Sequence, residues 1–318
     1  MEYISVKQAS QKWGISERRI RILCSEGRVD GVTRSSWAWN IPSSAPKPAD
    51  GRTLRHIKNF DLRTGGLDLR DLEEFHSELK NIHLSQDIML HRTQINFHRF
   101  LYIAFAEEGI PIDVIDTVLS GKIPEGTSLE QILLIKNAFA ILADFHHQTG
   151  LGSFQGNGEI RVPYFSEQRI NATYALLHRG IDDFLFPAYR NISIPVAGTW
   201  SGDERSFSVD VQMKTLLVQY EKEWSYLNPL VRATFMFGEL LRITPFSSHT
   251  YLFAFLIFAG NLLSGGYPLP SVAPDRIDEL KADLVMTLKR GHYNKILKMF
   301  EDGLFNEFPL LLRNPNEH

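Results

Sequence analysis

The stretch at residues 251–259 constrains the fold more than any other part of the chain, because nothing charged interrupts it. Tyr251, Phe253, Phe255 and Phe258 make it an aromatic-rich helix, and core packing explains such a helix: one that is apolar on every side must be covered on every side. It falls far short of the roughly 20 residues that span a bilayer. The reading is a helix inside a globular core, with no membrane partner. Around it the chain of 318 residues is long enough for one small and one large domain. Hydrophobic residues at 43% and charged ones at 22% exclude a disordered chain and an overall polycation. The single cysteine, Cys24, excludes a disulfide framework and reads as a small core residue. The polar opening, Met1 to Ser5, does not read as a signal peptide, so a cytoplasmic protein is expected.

Charge is unevenly spread. Residues 1–55 hold ten basic and five acidic side chains, a net +5, while the remainder carries 24 and 32, a net −8. A basic head on an acidic body points to a polyanion partner for the head alone. In the head, Ser5 and Gln8 stand in capping-box register for a helix over residues 6–13 that buries Val6, Ala9 and Trp13. Gly14 breaks it. Ser16 caps a second helix over residues 17–25, which Gly27 ends. Its Ile20, Leu23 and Cys24 share a face, and Arg18, Arg19 and Arg21 lie off it. Trp37, Trp39 and Ile41 then alternate as the return strand of a hairpin whose tip lies near Arg34. A hairpin after two short helices and a tight turn is a winged helix-turn-helix.

This head resembles the small excisionase-type or MerR-like winged DNA-binding domains, through Ile4-Ser5-Val6-Lys7-Gln8-Ala9, Trp13-Gly14-Ile15-Ser16-Glu17-Arg18-Arg19-Ile20 and Glu26-Gly27-Arg28. The resemblance implies DNA contacts from Glu17, Arg18, Arg19, Arg21, Arg28 and Arg34, since an arginine fork pairs with phosphate or guanine edges. One short recognition helix reads few base pairs, so a homodimer on a two-fold repeated site is expected. The domain boundaries are a winged helix-turn-helix at 1–45, a proline-rich linker at 46–58 and a helical body at 59–318.

The body reads as mainly α: helical periodicity through 67–106, then helices at 128–147, 171–184, 209–223, 229–242, 250–263, 276–290 and 293–305. From about residue 60 it looks like a Fic/Doc (fido) protein. The residues carrying this are Leu119-Ser120-Gly121-Lys122-Ile123-Pro124 ahead of the 128–147 helix, then Gly158-Glu159-Ile160-Arg161-Val162, Leu227-Asn228-Pro229-Leu230-Val231-Arg232-Ala233, Ile243-Thr244-Pro245-Phe246 and Gly265-Gly266-Tyr267-Pro268-Leu269. The resemblance implies an all-α fido-type domain with a small β-hairpin flap, in which Gly158, Glu159, Ile160, Arg161 and Val162 dock a target protein. It also implies transfer of a nucleotide, usually AMP from ATP, to a target hydroxyl by a loop reading H-P-F-x-D/E-G-N-G-R-x-x-R.

Each part of that loop has a physical task. The histidine is a general base, the acid holds a divalent metal, the glycines admit backbone N–H groups to the phosphates, and the arginines neutralise them. Here Thr244 stands for the histidine and Ser248 for the acid. His249, Thr250 and Tyr251 stand for the Gly-Asn-Gly, and Leu252 and Phe255 for the arginines. Pro245 and Phe246 alone remain. Loss of base, metal ligand, glycines and arginines together implies a domain without nucleotidyl transfer, with no cofactor and no metal. The family's self-restraining helix, S/T-x-x-x-E-G/N, corresponds loosely to Arg92-Thr93-Gln94-Ile95-Asn96-Phe97, where Asn96 replaces the glutamate.

Other signals carry less. Gly156-Asn157-Gly158 reads as a turn ahead of the flap. His76, His83, His91, His98, His146 and His147 lack chelating spacing and any HExxH motif. His249 reads as capping or lining a helix start, and Ser247, Ser248 and Thr250 as N-capping hydroxyls. Three functions stay open: a DNA-binding regulator with a chemically silent fido body for oligomerisation or sensing, a transferase with an altered loop, and a module that docks a partner strand at the flap.

Overall fold

The computed structural model describes residues 3–25, 29, 31–35, 38–45, 47, 69–81, 86–149, 165–182, 187–190, 209–290 and 292–312. They fall into two compact units, a head ending at the proline-rich segment and a body from Leu69 onward.

In the head, the Ser5 hydroxyl accepts the Gln8 amide at 3.3 Å and the Gln8 side chain accepts the Ser5 N–H at 2.8 Å, the reciprocal box expected from those residues. It opens α1 (Val6–Trp13), which stops where Gly14 turns left-handed, φ 62°. The Ser16 hydroxyl accepts the Arg19 N–H at 3.3 Å and starts α2 (Glu17–Ser25). A three-stranded antiparallel sheet completes the unit. Its outer strands, β1 (Tyr3–Ile4) and β2 (Thr33–Ser35), flank β3 (Ala38–Pro42), with Ile4 opposite Ile41 and Arg34 opposite Trp39. Val6, Ala9, Trp13, Ile20, Leu23, Cys24, Val29, Ile41 and Ala45 form one core, so both helices and the sheet share a single apolar centre. The two helices lie where the cap pattern puts them. The hairpin tip at residues 36–37 lies outside the described residues, as do Gly27, Arg28 and the linker apart from Lys47.

The described elements of the body are all helices. Its elements are α3 (Arg70–Asn81), α4 (Gln86–Ala104), α5 (Ile112–Leu119), α6 (Leu129–Thr149), α7 (Glu167–Leu177), α8 (Val209–Lys222), α9 (Pro229–Ile243) and α10 (Thr250–Ser264). A 3-10 turn (Pro274–Arg276), α11 (Ile277–Arg290) and α12 (Asn294–Leu312) follow. At the centre, α10 packs against α9 and α6. Residues 251–264 are all buried, as the aromatic pattern predicts, and Phe237, Phe255, Phe258 and Phe300 stack edge to face around them. Two polar side chains inside this core are satisfied by each other: the Tyr220 hydroxyl donates to Asn261 Oδ1 at 2.8 Å.

Several boundaries differ from the periodicity reading. Within the 67–106 pattern the described helices are α3 and α4, and residues 82–85 lie outside the described residues. α7 begins at Glu167 because Ser166 caps it, accepting the Arg169 N–H at 3.3 Å, and it ends before Gly180 instead of reaching 184. α5 was not expected. Its residues, Ile112, Val114, Ile115, Thr117 and Val118, are β-branched and resemble a strand in composition.

Candidate functional site

Residues 244–249 join α9 to α10, and most of them have a specific seat. Thr244 ends α9 in the left-handed region, φ 49°, which is rare for a β-branched residue. Its hydroxyl donates back to the Leu241 carbonyl at 2.8 Å, so it is committed to its own helix. Arg190 clamps the next three carbonyls. Its side chain donates to Ile243 O at 3.0 Å and Thr244 O at 2.5 Å, and its backbone N–H to Pro245 O at 2.9 Å. Pro245 and Phe246 are buried. The Phe246 ring stacks on Tyr174 of α7, centroids 3.8 Å apart and 14° from parallel, with Phe253 edge-on at 5.2 Å.

Ser248 meets two side chains of α7 and its end. The Tyr174 hydroxyl lies 2.9 Å from Ser248 Oγ, and His178 Nε2 lies 3.2 Å from it. His178 Nδ1 is 3.0 Å from the Tyr174 carbonyl, which can only accept, so Nδ1 carries the proton and Nε2 accepts from Ser248. Burial holds His178 below the ordinary histidine range, partly offset by the Tyr174 carbonyl. Ser248 therefore lies in a closed chain of hydroxyl and imidazole groups in place of a carboxylate.

His249 is also left-handed, φ 49°. Its Nδ1 is 2.7 Å from Glu108 Oε2 and its Nε2 is 3.6 Å from Glu130 Oε1, and its ring centroid is 5.3 Å from that of His178. Burial favours the neutral ring. The hydrogen bond and charge of Glu108, with those of Glu130, outweigh that and raise the His249 pKa. His249 lines the helix start as expected, but it holds the N-cap position with its side chain turned to the glutamates. The expected capping by Ser247, Ser248 or Thr250 does not occur: no side chain caps α10, and the Thr250 hydroxyl donates to the Phe246 carbonyl at 3.5 Å.

Leu252 and Phe255 are fully buried. Phe255 is wedged among Phe100, Phe237 and Tyr251, with centroids 4.4–5.7 Å away. Between residues 244 and 255 there is no lysine or arginine, and the neighbouring Arg190 is spent on loop carbonyls. Among the described residues, no group of three or more His, Cys, Asp or Glu is placed to hold a metal ion. Asn96 in α4 is buried and takes a structural post. It donates to Leu269 O at 2.8 Å and Glu307 Oε2 at 3.0 Å, and accepts the Leu269 N–H at 2.9 Å.

The sequence offered no motif for Glu108, Glu130, Tyr174, His178 or Arg190. The only local hint is that Tyr174 and His178 are four residues apart on one helix. The flap residues Gly158, Glu159, Ile160, Arg161 and Val162, and the Gly156-Asn157-Gly158 turn, lie outside the described residues. In the head, Glu17, Arg18, Arg19, Arg21 and Arg34 are all described. Arg18, Arg21 and Arg34 are exposed, Arg21 donates to Glu17 at 2.8 Å, and the Arg34 guanidinium lies 5.2 Å from the Trp39 ring centre.

Comparison with known proteins identifies the fold. No family model matches the chain and no curated protein does. Solved structures do. Fic-1 from C. elegans is 14% identical, with a TM-score of 0.58 over 82% of this chain and 74% of that one. A Fic-domain-containing signaling protein from Bacteroides thetaiotaomicron is 17% identical, with a TM-score of 0.58 over 77% of this chain and 96% of that one. The chain thus contains the Fic fold, mainly helical. No described helix is long and apolar enough to cross a membrane.

Proposed function

We propose that this chain is a DNA-binding, transcription-regulating protein, and that its Fic-fold body has lost nucleotidyl transfer and acts as an oligomerisation or sensing module. The observation that carries the first half is the outward face of α2. Arg18 and Arg21 stand exposed there, opposite a complete small core, in a head of net +5. A short helix that presents arginines and is braced by a second helix and a hairpin suits the major groove of a duplex. The Arg34–Trp39 pair adds a cation on the hairpin.

The second half rests on the α9–α10 segment. Thr244 donates to its own helix, Ser248 is bonded to Tyr174 and His178, and Leu252 and Phe255 are sealed in the core. A triphosphate needs donors or cations there, and those side chains supply none. A two-fold pairing of chains would place two heads on one repeated site.

Binding of a duplex library by the full chain, read by fluorescence anisotropy, tests this reading. The Arg18→Ala/Arg19→Ala variant is expected to lose at least tenfold in affinity at moderate salt, with a shallower salt dependence. Equal binding by wild type and variant overturns it. Incubation with labelled nucleoside triphosphates tests the second half, and label transfer to any protein by the unmodified chain contradicts it.

A further inference from the structure

Ile22 is out of place on α2. With 100° per residue, Ile20, Leu23 and Cys24 centre the core face, and Ile22 lies about 150° away from that centre. It is 36% exposed, among the large apolar side chains that the fold leaves uncovered. Its neighbours on the outward face are Arg18, Arg21 and Ser25, and each is arranged differently. Ser25 turns its hydroxyl back to the Ile22 carbonyl at 2.8 Å. Arg21 is held by Glu17 at 2.8 Å. Arg18 makes no hydrogen bond or ion pair among the described residues. Among the described residues, the face therefore presents Arg18 as an unpaired guanidinium fork and, one turn further on, one branched apolar side chain projecting between polar neighbours.

An apolar side chain in a cationic setting matches one feature of a duplex. The major groove is lined by phosphates and polar base edges, and its only apolar group is the thymine C5-methyl. We propose that Ile22 is a base-reading residue that packs against a thymine methyl in the major groove, about two base pairs from a guanine held by Arg18. The spacing follows from geometry: four residues of helix advance about 6 Å, and successive base pairs are about 3.4 Å apart. This rests on the DNA-binding reading above and specifies what the same surface recognises.

Replacing thymine by uracil removes that methyl and nothing else, so it isolates the contact. The experiment takes the duplex most enriched by the full chain from a random library. Wild type and Ile22→Ala are then titrated with that duplex and with versions in which each thymine is changed to uracil in turn. One uracil is expected to weaken wild type about fourfold, the value of one methyl removed from water. Ile22→Ala should weaken the parent duplex at least as much and lose nothing further at that uracil. Ile22 is exposed, so the variant should melt as wild type does. If wild type binds no duplex, the DNA reading falls and this inference with it. If wild type selects a sequence but no uracil weakens it, or Ile22→Ala loses equally on both duplexes, this inference alone falls. Unchanged DNA binding by Ile22→Ala, together with loss of a protein–protein association, reassigns the face to a protein partner.

Discussion

His249 and His178, with ring centroids 5.3 Å apart, have pKa values displaced in opposite directions. The Glu108 and Glu130 carboxylates overcome burial and raise His249 above 6.5, so the folded chain binds that proton more tightly than the unfolded chain does. Its contribution to stability is complete below about pH 6.5 and is lost as pH rises through the raised value. Burial lowers His178, and likewise His98 and His146. Their contribution is complete above about pH 6.5 and is lost as pH falls through the lowered values. The contributions of these four histidines are all present together only near the ordinary histidine pKa. Glu108→Gln is expected to lower the midpoint most on the acid side of that value and to flatten the alkaline limb, measured by circular dichroism melting across pH 5–9. An unchanged alkaline slope in Glu108→Gln contradicts the ion pair.

At the level of elements, α9 and α10 matter most, because the loop between them is fixed by what the helices bury. Leu252 and Phe255 are buried in the core, so an arginine at either position is an unpaired guanidinium in an apolar setting. Leu252→Arg is expected to cost about 3–5 kcal/mol of stability. In urea this reads as a lower midpoint without any gain of nucleotide binding, and a stable variant that binds ATP would refute the account. These two helices were legible in advance, Pro229 starting one and Thr250 the other, because long, predominantly apolar segments outweigh local detail. α5 was not, since its isoleucines and valines favour a strand locally, and its packing on α6 and α4 outweighs that preference. α12 runs past the expected end at 305 to Leu312, through Pro309, a residue that reads as a stop. The seats of Ser248 and His249 were beyond reach for a different reason. Their partners, Glu108, Glu130, Tyr174 and His178, are 70 or more residues away in sequence, and no spacing rule connects such positions.

For the whole molecule, the consequence of two separate cores is two separable unfolding events. The head core is small, and Trp13, 5% exposed, is its largest member. Trp13→Ala is expected to cost about 3–5 kcal/mol, which is most of what so small a unit has. Calorimetry of the full chain should show the head transition vanish while the body transition stays. A single transition that shifts as one unit would show the cores to be coupled.

Asn96 has a consequence of its own. By giving its amide to the Leu269 carbonyl and taking the Leu269 N–H in return, it imitates one rung of a ladder between strands, and Arg99 doubles the hold through Glu307 at 3.2 Å. Lifting α4 would strand a buried amide, a carbonyl and a carboxylate at once. A helix anchored in this way is a strut rather than a latch.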